Sequence, residues 1–410
     1  MDYPKLRSVE IFPVEMEERK LICFRDPQRI AEEMVLLPQE TFFFVRLFDG
    51  SHSIRDIQAE YMRAFGDLIH SDFLVEIAEN LDRYYLLEND RYRERRKQIE
   101  EDFLRSPTRK LIVAGNGYDS DPENLKAQMD NFFLAEGGPG SPPRVEGAPS
   151  GLKAVIAPHI DLSRGGPCYA WAYKEVAENS ADELFILLGT SHMPAEKYFV
   201  LTKKDFATPF GTLPTDPVIV GDLEETLGTQ FFTDELLHRN EHSLEFQAVY
   251  LHYLFHDRRN ISILPVLCGS FYELMAQGLH PHEDEQITRF IDALRKAIAE
   301  DDRSICLVAG ADLAHVGPQF GDSLPASPAV MDRVKEKDLE MLDHVVHGDA
   351  EGFYEYILRE NDQRNICGLS PIYTLLRLLD DGKGNLLNYS QWTDQGGAGA
   401  VTFASIAFPS

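Results

Sequence analysis

The chain has 410 residues, 43% of them hydrophobic, and a formal charge of −28. That length exceeds what one core usually absorbs, which predicts two domains or a large domain with an appendage. The acidity repels phosphate backbones and anionic membranes, so nucleic acid is not expected as a partner.

No run reaches the ~18 apolar residues that a membrane helix needs, and the start, MDYPKLRSVEIF, lacks the basic-then-apolar pattern of a secretory leader. A cytoplasmic protein off the membrane is the expectation. Five cysteines, Cys23, Cys168, Cys268, Cys306 and Cys367, are scattered and never in CxxC spacing. Neither a disulfide framework nor a zinc knuckle is indicated, and each cysteine reads as a small buried apolar residue.

In chain order, residues 1–100 read as a small helical unit with its connector. VLLPQETFFFVRLFDG carries Phe42, Val45, Leu47 and Phe48 into a turn at Gly50, after which Ile54, Ile57 and Tyr61 recur at helical spacing. In SDFLVEIAENLDRYYLLEND, Phe73, Ile77, Leu81 and Tyr84 share a face behind a cap expected at Ser71 or Asp72. The order of helix, Asp-Gly turn, second helix and closing Leu-Leu-Glu resembles PqqD-like peptide-recognition domains of winged-helix type. That resemblance implies a peptide reader, while a structural spacer fits the same pattern. RYRERRKQIEEDFLR reads as a solvated connecting helix.

Over residues 107–410 strands and helices alternate. Asp121 is a helix cap with Pro122 at the first helical position, and Leu125, Met129, Phe132 and Phe133 form the apolar stripe behind it. EGGPGSPPRVEGAPSG is a loop without core-forming residues. Then come the apolar runs KAVIAPH (153–159), ELFILLGTSH (183–192), ISILPVLCG (261–269) and SICLVAGADLAH (304–315). None alternates strictly, so each reads as a strand covered on both faces. Helical patterns between them, at 169–176, 244–255 and 287–298, complete an α/β fold: a mostly parallel or mixed central sheet flanked by helices.

In such sheets ligands bind beyond the carboxyl ends of the strands. His159 closes the first run directly behind Pro158, His192 follows the second, and Asp312 and His315 follow the fourth. Separate strands therefore send metal-competent side chains to one rim, although either histidine alone would pass for a core residue. Two imidazoles and a carboxylate with open positions suit non-haem Fe(II) and permit zinc.

HRNEHSLEFQAVYLHYLF offers Asn240 as helix cap, Glu241 at the positive end of the dipole, and His242 in the first turn, where its charged form is disfavoured. A neutral imidazole there is a candidate proton shuttle. In DLSRGG, Arg164 and Asp161 could hold an anionic substrate, or simply pair at the surface. There is no GxSxG elbow and no GxGxxG after the first strand of the large domain. HEDEQ at 282–286 is not HExxH and reads as a solvated loop. Serine-hydrolase and dinucleotide readings fall away accordingly.

The segments AGNGYDSDPENLKAQMDNFF, VIAPHIDLSRGG, ILLGTSH, TPFGTLPTD, NEHSLEFQAVYL, ILPVLCGS, AGADLAHVG, ICGLSPI and GAGAVTFASIAF, in this order, resemble the Memo family over residues 107–410. Bacterial members of that family are called AmmeMemoRadiSam system protein B. The resemblance implies a fold like that of class III extradiol dioxygenases, a mononuclear iron in a pocket, and association with radical SAM and AMMECR1-type proteins. It places family histidines on His159, His192 and His242, and the family's SDxxH segment on Asp312 and His315. Ala314 stands where a metal-binding cysteine of a eukaryotic relative is expected, so Asp312, Asp161, Glu241 or solvent is expected to complete the shell in place of a thiol.

The resulting expectation is a metal on His159, His192 and Asp312, with His242, His315 and Glu241 in acid/base or supporting roles and substrate held by Arg164 and Asp161. The expected ion is Fe(II), with zinc or copper as alternatives, serving a dioxygenase-like oxidoreductase that acts on a small anionic or aromatic substrate. The rival expectations are a non-catalytic partner of a radical SAM system and a zinc hydrolase using the same pocket.

Overall fold

The computed structural model describes residues 2–16, 19–31, 33–144, 151–379 and 382–410. Residues 145–150 of the Pro/Gly-rich loop lie outside the described residues. The chain divides into two compact units, Met1–Ser106 and Pro107–Ser410. Among the described residues no helix is long and apolar enough to cross a membrane.

The first unit is not purely helical, as its patterning suggested. A three-stranded antiparallel sheet, Glu10–Met16, Arg19–Arg25 and Val35–Pro38, precedes its longer helices. The first of these strands has no buried residue, so it leaves no apolar alternation to read. Helix Ile54–Phe65 is closed by a Ser53/Asp56 capping box and by Gly66 at φ 72°. Helix Ser71–Arg83 starts from His70 without a side-chain cap, so neither Ser71 nor Asp72 has the capping role expected of it. The connecting helix is Asp90–Arg105.

The second unit is built on an eight-stranded mixed sheet. Strands Leu152–Ala157, Ile305–Gly310, Leu184–Thr190 and Ser262–Cys268 lie side by side and parallel. Phe199–Leu201 extends one side antiparallel, and Ala400–Pro409 extends the other. Side chains alternate across the strands. Leu184, Ile186 and Leu188 enter one core with helices Glu285–Glu300, Pro328–Val346 and Leu369–Leu379, whereas Phe185 and Leu187 enter a second core with helices Leu162–Asn179 and Ser243–Phe255. Burial on both faces explains the unbroken apolar runs.

Two details of this sheet build the rim. The long strand Ala400–Pro409 pairs through its second half with Leu152–Ala157 and through its first half with Asp312–Val316. The fourth apolar run is therefore two strands, the second taking up the ladder where Pro158 ends the 152–157 strand. In addition, Gly189 and Gly310 are register partners on adjacent strands. A Cβ on Gly189 would meet Ser243 Oγ at 2.6 Å, and one on Gly310 would meet Gln247 Nε2 at 2.6 Å. The glycine pair lets the start of helix Ser243–Phe255 lie directly on the strand ends. Ser243 Oγ then donates to the Thr190 carbonyl (2.8 Å) and Gln247 Nε2 to the Pro158 carbonyl (2.8 Å).

Candidate metal centre

Three imidazoles meet at this rim. Ring centroids are 5.1 Å apart for His159 and His192, 5.6 Å for His159 and His242, and 4.7 Å for His192 and His242. One nitrogen from each lies within 4.8 Å of the others.

Two of the rings have Nδ1 hydrogen-bonded to an oxygen that only accepts, and the third has its Nδ1 near one. His159 Nδ1 is 2.9 Å from the Gly310 carbonyl, His192 Nδ1 is 3.0 Å from Glu241 Oε1, and His242 Nδ1 is 3.3 Å from the same oxygen. In neutral His159 and His192 rings this puts the proton on Nδ1 and leaves the lone pair on Nε2, the arrangement in which outer partners orient metal-binding histidines. His159 is held further by its backbone N–H, which donates to Asp312 Oδ1 at 2.9 Å.

Glu241 organises the group. It accepts the His192 backbone N–H at 2.9 Å and the Ser243 N–H at 3.0 Å. The second bond caps the helix start, so Glu241 takes the role expected of Asn240, and His242 occupies the N-cap position. Burial raises the Glu241 carboxyl, but the charge and hydrogen bonds of His192 outweigh this and hold it well below the usual carboxylate range. Burial pushes His159 and His242 down to about 3, so both are neutral at pH 7. His192 is also lowered by burial, but Glu241 more than compensates and its value is raised. Asp312, 2% exposed, is pushed up to about 6 by burial.

The other expected residues take different places. Asp312 Oδ2 lies 3.6 Å from His159 Nε2, and Asp312 does not belong to the three-residue donor group. His315 also lies outside that group; its ring packs edge-on against Phe320 at 5.1 Å. Arg164 lies over the Trp392 ring at 4.2 Å and is 3.6 Å from Asp161.

Sequence reasoning passed over Cys367. Its Sγ is 3.4 Å from His159 Nε2, carried there by the loop before helix Leu369–Leu379. Gly368 makes the approach feasible, since a Cβ there would meet the Asp312 carbonyl at 2.4 Å. Ala314, from which a shell without a thiol was expected, is buried at 0% exposure in the sheet, while a thiol from a different segment lies beside His159. The available signal was the Cys-Gly step of ICGLSPI, set aside because an isolated cysteine usually packs as a small hydrophobe.

A cavity of about 290 Å³ opens beside the group, with His192 and Cys367 on its wall together with Ser191, Phe271, Tyr272 and Met275. A sequence model of Memo-like proteins matches residues 109–407. The chain belongs to the Memo family. This Memo-family chain is similar along its whole length to a MEMO1 family protein of Aquifex aeolicus, at 27% identity over 99% of both chains. A MEMO1 family protein of Methanopyrus kandleri is 28% identical over 73% of this chain and 98% of its own. A Memo-family protein can thus lack a counterpart to about a quarter of this one, and the family match begins only at residue 109.

Proposed function

We propose that this Memo-family chain is a metalloprotein whose ion is held by His159, His192 and His242. The observation that carries the reading is the convergence of three ring nitrogens within 4.8 Å, two of the rings having Nδ1 already hydrogen-bonded. A cation there would engage the buried His159 ring together with the more exposed His192 and His242 rings. Cys367 is the nearest further donor, and Asp312 and Glu241 orient the histidines.

Fe(II) is the proposed ion. Imidazole also serves zinc and copper, and ligation by the Cys367 thiolate would shift the preference toward those softer ions. When bound, the ion would supply Lewis-acid or redox chemistry to a small aromatic or anionic substrate in the adjoining cavity, in an oxidoreductase of dioxygenase-like type. The chain itself contributes Phe271, Tyr272 and Met275 as an apolar wall that orients such a substrate and displaces water. His192 lines the same cavity, and its Nδ1 contact with Glu241 would aim the ring for ligation.

The test is elemental analysis of protein purified anaerobically. Wild type is expected to carry iron that His159→Ala/His192→Ala/His242→Ala lacks while keeping its circular dichroism spectrum. Equal metal in both rejects the reading, and zinc in place of iron moves it to the hydrolase alternative. The family match, which begins only at residue 109, favours a separate task for residues 1–106. We propose binding of a peptide or of a radical SAM or AMMECR1-type partner, checked by co-purification with and without those residues.

A further inference from the structure

Among the described residues a second group of metal-competent side chains lies away from the rim. His280, His282 and Glu351 each offer a ligand atom within 4.8 Å of the others. The histidines flank Pro281 in the short helical turn Pro281–Glu283, and Glu351 is in the first turn of helix Ala350–Arg359. Sequence patterning left this stretch as a solvated loop, yet its parts are held in place. Tyr354 donates to the Leu279 carbonyl at 2.7 Å, and the His280 N–H donates to Glu283 at 3.1 Å.

The orientation of Glu351 is the first pointer. Its Oε1 accepts from Tyr373 at 2.6 Å and from Arg377 at 3.0 Å. That leaves Oε2 turned to the histidines, 2.8 Å from His282 Nδ1 and 3.8 Å from His280 Nδ1. Support of one carboxylate oxygen while the other faces imidazoles is how outer partners prepare a ligand.

The second pointer is the His280 ring. Its Nε2 is 3.1 Å from Glu355 Oε1, an acceptor, so in the neutral ring Nε2 bears the proton and Nδ1 is bare. This Nδ1 is buried with no hydrogen-bond partner and faces the Glu351 oxygen. A lone pair set against a carboxylate oxygen is relieved by a positive charge between them, a proton or a metal ion.

We propose that His280, His282 and Glu351, with Glu355 orienting the His280 ring through Nε2, form a second cation site for a zinc-class divalent ion. Imidazole nitrogens with one or two carboxylates match zinc, whereas calcium and magnesium take all-oxygen shells. An ion here ties the 280–282 turn to helix Ala350–Arg359. Through Tyr373 and Arg377 it also braces helix Leu369–Leu379, which contributes Leu369 and Ser370 to the wall of the cavity beside His192. The site is therefore structural, and it stands whether or not the rim histidines bind metal.

The experiment uses full-length protein freed of metal by a chelator and titrated with Zn(II), with Co(II) as the coloured substitute. Wild type is expected to take up one equivalent more than His280→Ala/His282→Ala, and zinc is expected to raise the melting temperature of wild type more than that of this variant. The extra equivalent should persist in His159→Ala/His192→Ala/His242→Ala, which separates this site from the rim. Tyr373→Phe should weaken it ~10-fold by freeing Glu351. Should the alanine pair not fold, His280→Gln/His282→Gln is the replacement. Zinc stoichiometry and zinc-induced melting shift unchanged from wild type in the folded double variant overturn the proposal.

Discussion

Glu241 and Glu245 lie four residues apart at the start of one helix, both buried, and they do opposite things. Glu245 is saturated: it accepts from the Arg109 guanidinium, the Tyr118 hydroxyl at 2.6 Å and the Ile112 and Val113 N–H groups at 3.0 and 3.1 Å. Nothing is left to bind a ligand, and this carboxylate pins residues 109–118 to the helix. Glu241 spends its oxygens on two imidazoles and two backbone donors, so its partners can exchange a proton or a cation. A buried carboxylate paired with a permanent charge is scaffold, whereas one paired with titratable imidazoles is machinery.

The two regions are joined by Arg109, whose Nη2 donates to the Glu241 carbonyl at 2.6 Å and whose Nε donates to the His238 carbonyl at 3.0 Å. The largest expected effect therefore belongs to the scaffold. Arg109→Ala strands the Glu245 charge and should cost about 3–5 kcal/mol in denaturant unfolding. A loss under ~1 kcal/mol would break the distinction between the two carboxylates.

Next comes acid sensitivity at His238, a buried ring on the scaffold side. Burial, opposed by its contact with the Val200 carbonyl, lowers it from 6.5 to about 3. Because the unfolded chain takes up this proton first, stability rises with pH across that window: the contribution is complete above about 6.5 and is lost as pH falls toward about 3. His238→Gln, measured by denaturant unfolding at pH ~7 and ~4.5, should flatten the slope by about 1–3 kcal/mol. An unaltered slope would remove His238 from the account.

Glu241→Gln should act on the other side of the comparison, lowering metal affinity ~10–100-fold with little change in apo-protein stability. If stability falls as far as in Arg109→Ala while affinity is retained, Glu241 is scaffold after all. The smallest effect is expected for Cys367→Ser: iron is kept, and Cu(I) affinity falls by about tenfold, read by competition titration. Unchanged Cu(I) affinity would leave the thiol as a neighbour and not a ligand.

Much of the rim could be read without coordinates. His159 and His192 stand at strand ends because apolar runs covered on both faces must stop where polar residues begin, and a proline or a Gly-Thr-Ser turn marks the stop. His242 and Glu241 were visible as the start of a helix. Their division of labour was not, because Glu241 became the cap and hinge of the group only when two strand-end glycines let the helix settle on the sheet. Cys367 escaped for the opposite reason, since its neighbour Gly368 marks a close approach without saying whether the thiol faces lone pairs or a core.

The small unit divides in the same way. Its helices followed from 3.6-residue periodicity, while the strand at 10–16, exposed along most of its length, had no pattern to betray it. By itself the amino-acid order determined the α/β class, the central strands and the histidines at their ends, because burial periodicity and chain breaks are local properties. Which nitrogens face one another, which carboxylate serves them and which cysteine joins them depend on segments up to 208 residues apart, and only tertiary packing could decide that.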